Sequence, residues 1–303
     1  MCGINGIVGF VDRDVAKQKI VAMNNCMQHR GPDDEGIFVD DKIALGHRRL
    51  SIIDLSSAGH QPMISFDKRY QIVYNGELYN YKELKFELKR VVAGSTQQTY
   101  LFQTNTDTEV IIAAYARWGK NCLAHLNGMF AFAIWDTQNK TLFIARDRLG
   151  IKPLYYFYVN GIFAFSSEIR SLLASESIPK KIDENSLVDY LRYQTVHAPN
   201  TIVKGIKILM PGNFIEIKNE ELALENYWDL VKNITPLSKE KSYQEVCKEV
   251  NQKLTQAVED RLVADVPFGA FLSGGIDSSA IVGLISKVSS EKIKTFSVTF
   301  NEG

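Results

Sequence analysis

The sequence has no cysteine framework. Its four cysteines, Cys2, Cys26, Cys122 and Cys247, are scattered and form no Cys-x-x-Cys pair. That spacing gives no support to a zinc site or a disulfide-stapled fold and suits a reduced, cytoplasmic setting. There is no excess charge of one sign: 35 Lys and Arg face 35 Asp and Glu, for a formal net charge of zero. Electrostatic capture of nucleic acid or of an anionic membrane is therefore not indicated. No apolar run approaches the ~18 to 20 residues of a membrane helix. Asp12, Arg13 and Asp14 interrupt the first apolar stretch, where a signal peptide needs its core. The pattern Gly-x-x-x-x-Gly-Lys-Ser/Thr is absent, so a kinase-like grip on a γ-phosphate is not supported. Of only five histidines, His29, His47 and His60 suit structural hydrogen bonding better than a metal site. No metal site is expected in the first part of the chain.

What remains is a chain of 303 residues, 45% hydrophobic and 23% charged, long enough for two ordinary domains. Its first two-thirds read mainly as strands. Ile4 to Phe10, Lys42 to Leu50, Tyr70 to Tyr74, Phe130 to Asp136 and Thr141 to Asp147 are β-type runs. Tyr155 to Val159 and Ile162 to Ser166 flank Asn160-Gly161, a strong hairpin signal. Helices are expected over 80–90 and 108–118, the latter with Asp107 as N-cap, and over 183–193, with Leu187, Tyr190 and Leu191 on one stripe. Hairpin-paired strands with interleaved helices predict two antiparallel sheets covered by helices. A long helix is expected over 243–263. Strand, Gly-rich turn, helix and strand then follow, the opening of a parallel α/β unit.

Two groups of residues carry chemistry. Met1-Cys2-Gly3 places a small residue after the initiator, which qualifies Met1 for removal, though the sequence leaves open whether it is removed. Cys2 would then hold a thiol and a free α-amine of pKa ~8, nucleophile and base on one residue. Asn75 and Gly76 are candidate donors to an oxyanion, one by its side chain and one by its backbone. Arg49 offers a fork for a carboxylate. Glu77 and Asp107 could face an ammonium. The second group is Leu272-Ser273-Gly274-Gly275-Ile276-Asp277-Ser278-Ser279, between a predicted strand and helix. Its backbone N–H groups, helix start and hydroxyls suit an anion.

Six blocks, Met1-Cys2-Gly3-Ile4, His29-Arg30-Gly31-Pro32-Asp33, His47-Arg48-Arg49-Leu50-Ser51-Ile52-Ile53-Asp54, Gly59-His60-Gln61-Pro62, Tyr74-Asn75-Gly76-Glu77 and Thr106-Asp107-Thr108-Glu109, resemble the class II glutamine amidotransferases in order and spacing. The 272–279 block is similar to the PP-loop of ATP pyrophosphatases. Its flanks, Asp265 to Gly269 and Phe296 to Val298, resemble glutamine-hydrolysing asparagine synthetases, as do Ala145 to Tyr155 and Phe165 to Glu168. The resemblance implies an αββα N-terminal-nucleophile (Ntn) hydrolase sandwich over residues 2–210, a closing strand and linker over 211–238, and an incomplete PP-loop domain over 239–303. By resemblance, Cys2, Asn75 and Gly76 are catalytic, while Arg49, Leu50, Ser51, Ile52, Ile53, Asn75, Gly76, Glu77 and Asp107 bind glutamine. Leu272, Ser273, Gly274, Gly275, Asp277, Ser278 and Val298 bind ATP, with Asp277 near Mg2+. Glutamine is expected to yield ammonia for ATP-dependent amidation of aspartate through an adenylate, with residues 1–303 alone competent only as a glutaminase. A homodimer is compatible with this pattern. Another carboxylate or sugar acceptor, or a non-catalytic glutamine-binding fragment, also remains open. Two departures stand out: Asn5 replaces an expected small residue, and the 91–101 stretch is longer than usual.

Overall fold

The computed structural model describes residues 1–10, 12–89, 100–234, 241–290 and 292–300. Most of the 91–101 stretch lies outside them. The chain divides into two compact units, Met1–Asn233 and Ile234–Gly303.

The first unit is built on two six-stranded antiparallel sheets. In one, β1 (Gly3–Val8) lies between β3 (Ile43–Arg49) and β9 (Ile162–Ser166). β2 (Asp34–Val39), β8 (Tyr155–Val159) and β10 (Ile206–Ile208) complete it. In the other, β5 (Tyr70–Leu78) pairs with β4 (Met63–Ile64) and β6 (Gly128–Asp136). β7 (Thr141–Arg146), β11 (Asn213–Lys218) and β12 (Glu221–Asn226) extend it. The inward residues of both sheets form one core, including Ile4, Leu45, Val73, Ala133, Ile144, Phe163, Phe165 and Ile215. Burying each large member contributes about 1.5–3 kcal/mol before chain entropy is charged against it.

Helices cover the outer faces. α1 (Arg13–Asn25) sends Ala16, Ile20 and Met23 against Ile7 and Ala44, together with Leu172 of α4 (Ile169–Ala174). On the other sheet, α3 (Asp107–Trp118) is anchored by Tyr115, which packs on Tyr70 and Phe143, and it also packs against α2 (Tyr81–Lys89). The result is the αββα sandwich of the Ntn hydrolases. The Asn160-Gly161 hairpin forms as expected, with φ of 51° and 77°.

Several elements differ from the sequence expectation. α1, α4, β2 and β12 were not foreseen. β5 does not stop at Tyr74 but runs through Asn75, Gly76 and Glu77, paired with Ala131, Phe130 and Met129. A Cβ on Gly76 would stand 2.4 Å from the Met129 carbonyl oxygen, so close strand approach demands glycine there. Asp107 is not the N-cap of α3. Thr106 takes that role, accepting from the Glu109 N–H at 3.2 Å, and the Asp107 carboxylate turns toward β5. The first unit continues past 210 to Asn233, because β11 joins the second sheet through β7 and carries β12 with it. α5 (Glu184–Tyr193) starts after its N-cap Asp183, but Tyr190 and Leu191 of its apolar stripe are exposed.

The second unit contains α6 (Tyr243–Glu259), capped by a Ser242–Glu245 capping box. A parallel pair follows, β13 (Gly269–Phe271) with β14 (Lys294–Phe296), connected through α7 (Ile276–Val288). Among the described residues, no helix is long and apolar enough to cross a membrane.

Candidate active site

β1 and β5 belong to different sheets, and they pack against each other where the cavity lies. His47 of β3 ties the sheets together there, its Nε2–H donating to the Tyr74 carbonyl at 3.0 Å. Burial pushes His47 down to about 4, so near neutral pH the ring is uncharged and that tautomer is the one the contact requires. The cavity is about 450 Å3 and is lined by Cys2, Arg49, Leu50, Ile52, Ile53, Asn75, Gly76, Glu77 and Asp107, among others. Every candidate catalytic and glutamine-binding residue except Ser51 therefore reaches one space. Ser51 instead donates its N–H to Asp33 Oδ2 at 2.8 Å.

Cys2 stands at the head of β1. Its thiol lies 3.5 Å from the Leu50 carbonyl oxygen, and the Leu50 N–H points back at the sulfur from 3.4 Å. Arg30 Nε holds the Cys2 carbonyl at 3.0 Å, and Glu168 in turn pairs with Arg30 at 3.1 Å. Ser167 pins the next residues, exchanging bonds with the Ile4 N–H at 3.1 Å and the Ile4 carbonyl at 2.9 Å. Burial raises the Cys2 thiol above its ordinary value, and the Leu50 N–H opposes that rise. Asn5, the unexpected residue, is accommodated by Asn24 at 2.7 Å and by Gly46, where a Cβ would stand 2.5 Å from the Asn5 Oδ1.

Opposite the sulfur, Asn75 is 1% exposed and its Nδ2 has no hydrogen-bond partner among the described residues. A buried amide N–H left unpaired costs on the order of 1–3 kcal/mol, and a ligand oxygen would relieve it. Gly76 adds a second donor. The Tyr74 N–H leaves the sheet for Gln61 Oε1 (2.7 Å), and the Leu78 N–H leaves for Asp107 Oδ2 (3.0 Å). By the two-residue period of a strand, the Gly76 N–H between them faces the same way, off the sheet.

Arg49 is 6% exposed and forms no ion pair with a carboxylate among the described residues. Backbone carbonyls of Ser56 (2.9 Å), Ile53 (3.4 Å) and Asp54 fix its guanidinium. Gly59 makes room, since a Cβ there would fall 1.9 Å from Arg49 Nη2. Asp107 accepts from Tyr74 Oη at 2.9 Å as well as from Leu78, yet burial still raises it to about 6.

In the second unit, Leu272, Ser273, Gly274, Gly275, Asp277 and Ser278 form one surface loop entering α7. Gly274 has φ +83°. Ser273 Oγ and Ser278 Oγ are 3.0 Å apart, and no side chain caps α7, which leaves first-turn N–H groups open to an anion. Val298 lies two residues past β14, 75% exposed, while Leu272 is bonded to Phe296 and Ser297. Among the described residues, no three His, Cys, Asp or Glu side chains gather as a metal site.

Residues 1–228 match the family described as glutamine amidotransferase domain. The chain belongs to that family. Residues 249–303 match the family described as asparagine synthase, next to the amidotransferase domain. A Methanocaldococcus jannaschii protein named putative glutamine-hydrolyzing asparagine synthetase 2 is 40% identical, over 99% of this chain and 60% of that protein. Glutamine-hydrolyzing asparagine synthetase 3 of Bacillus subtilis is 36% identical, over 100% of this chain and 48% of its own length. The chain thus spans about half the length of the curated relatives it matches. The amidotransferase fold also appears in a B. subtilis glutamine phosphoribosylpyrophosphate amidotransferase solved with ADP and GMP. That structure has a TM-score of 0.55 and 21% identity, over 97% of this chain and 65% of that one.

Several groups at the cavity carry no role that the sequence motifs show. Arg30 and Lys152 both lie within blocks that carried the resemblance, but nothing in those strings shows that one braces Cys2 and the other lines the cavity. Gln61 and Tyr74 act through neighbours, and pattern alone does not reveal that.

Proposed function

We propose that this chain is the glutaminase portion of a glutamine-dependent asparagine synthetase. The observation that carries the proposal is one cavity shared by a terminal-proximal thiol and, among the described residues, an unpartnered buried amide donor and a buried guanidinium without a carboxylate. Each lacks the partner that one part of glutamine supplies. The substrate carboxylate pairs with Arg49 in its fork geometry. Its ammonium sits between Glu77 and Asp107. Its side-chain amide then lies between Cys2 and Asn75.

Removal of Met1, which also lines the cavity, frees the Cys2 α-amine. That amine takes the thiol proton as sulfur attacks the amide carbon. Negative charge moves onto oxygen, toward Asn75 Nδ2 and the Gly76 N–H. The proton passes to the leaving nitrogen, ammonia departs, and water clears the thioester to glutamate. In the full-length protein, ATP binds the 272–278 loop. Asp277 would supply one carboxylate toward Mg2+, which would neutralise phosphate charge there. Aspartate is the proposed acceptor, activated as an adenylate with release of pyrophosphate. The four free cysteines fit the reducing cytoplasm.

Glutamate release by residues 1–303, lost on Cys2→Ala, supports the glutaminase reading. Glutamine binding without turnover defeats it. Pyrophosphate release by the full-length protein, tested over a panel of carboxylates, decides the acceptor. Aspartate is expected to stand out.

A further inference from the structure

Lys152 is a second buried cation in the cavity, unused by the mechanism above. It is 5% exposed and lines the space together with Cys2, Arg49 and Glu77. Its Nζ forms no hydrogen bond or ion pair among the described residues. The loop bearing it is held firmly. The Lys152 N–H donates to Asp147 Oδ2 at 3.0 Å, and its carbonyl accepts from Arg146 Nε at 2.7 Å. Asp147 also takes the N–H groups of Ile151 (2.9 Å) and Phe130 (3.2 Å), so its carboxylate is committed to the backbone. The stem is fixed this way, and burial disfavours its ammonium unless a counter-charge faces it.

The charges of the loaded cavity identify that counter-charge. Bound glutamine is a zwitterion and adds none. Arg49 and Lys152 then balance Glu77 and Asp107. Without Lys152 the side chains lining the cavity, with the Cys2 amine neutral as the base, carry one surplus negative charge beside a sulfur that must itself become negative. We propose that Lys152 is a positioning residue for the nucleophile, its ammonium balancing the acidic wall so that the Cys2 sulfur stands as a thiolate over the glutamine amide. This rests on the glutaminase reading. Lys152 exchanges no proton: the S–H proton goes to the α-amine and then to the departing nitrogen.

The other charges facing Cys2 are distributed over several elements. They are the terminal amine, Arg30 after α1, Arg49 on β3, Glu77 on β5 and Asp107 on α3. Burial lowers the Lys152 ammonium, while the Glu77 and Cys2 charges support it.

The test is the rate at which iodoacetamide alkylates Cys2 across pH 6–9, read by mass spectrometry on mature protein. Lys152→Met and Lys152→Gln are compared with wild type and with Lys152→Arg. Loss of a nearby opposite charge moves such a profile by about one pH unit or more. Alkylation at pH 7 is therefore expected to fall about tenfold in the two neutral variants. kcat for glutamine should fall similarly, KM should stay within about twofold, and Lys152→Arg should restore most of the loss. The profile is read on the folded fraction, so a stability change in either neutral variant does not obscure it. A wild-type alkylation profile in both neutral variants overturns the proposal. Glutamate release that survives Cys2→Ala defeats the glutaminase reading instead.

Discussion

The two units build their proposed ligand sites in opposite ways. In Met1–Asn233 the site gathers buried groups: the Asn75 amide, whose Nδ2 has no partner among the described residues, and the Arg49 and Lys152 side chains, which form no ion pair among them. In Ile234–Gly303 it is made of exposed hydroxyls and N–H groups around Gly274 and Gly275, which water can satisfy. Buried orphans record the shape and charge of what they bind, because leaving them unpaired is costly. Exposed donors record only the sign of the charge they suit. The glutamine site can therefore be argued atom by atom, whereas the loop rests on its pattern and on its position at the start of α7.

The largest expected effect contrasts the units directly. Asn75→Ala should lower kcat for glutamine about 100- to 1,000-fold, the usual loss for one oxyanion donor. Its melting temperature should not fall, since the native Nδ2 makes no bond among the described residues that the variant would lose. Ser273→Ala should leave glutamate release unchanged. Steady-state kinetics with thermal unfolding check both, and a large fall in stability for Asn75→Ala would mean that the amide is a structural group after all.

Gly59→Ala sharpens the contrast at Arg49. The added methyl collides with the end of the guanidinium, a movable group, rather than with backbone. The fold should persist while KM for glutamine rises about tenfold, the scale of one displaced charge-assisted contact. An unchanged KM would remove Arg49 from the carboxylate site.

The smallest effects are pH-linked. Asp107 is raised to about 6, so glutamine binding should weaken as pH falls through 6, with KM up about tenfold at pH 5. Asp107→Asn should abolish that slope. For stability, the raised Asp107 contributes below its unfolded value near 4, and the contribution is lost as pH rises through 6. His47, depressed to about 4, does the reverse: its contribution is present above about 6.5 and lost as pH falls toward 4. The two offset in the wild type. Urea unfolding of Asp107→Asn between pH 6.5 and 4 should therefore show a steeper loss than wild type, on the order of 1 kcal/mol per pH unit.

Much of this was legible in the sequence, for reasons that can be stated. The Asn160-Gly161 hairpin and the strands beside it follow from local turn chemistry, and they formed where expected. α1 was missed although Ala16, Ile20 and Met23 recur at helical spacing behind the capping Asp12. Its charged and polar neighbours mask that narrow stripe. Asp107 looked like an N-cap because Asp favours that position. Thr106 won it, leaving Asp107 for a long-range contact with Tyr74 that no local rule encodes. The gathering of Cys2 with Asn75 is likewise non-local, since it requires two sheets to stack. Lys152 shows the limit most clearly, because its burial against the cavity exists only in three dimensions.

The mechanism turns on the primary amine of residue 2. Glutamate release should be measured on two preparations whose N-termini are verified by intact mass, one beginning at Cys2 and one retaining Met1. Turnover confined to the Cys2 form is the expected result. Equal rates in both would contradict a terminal amine as the base.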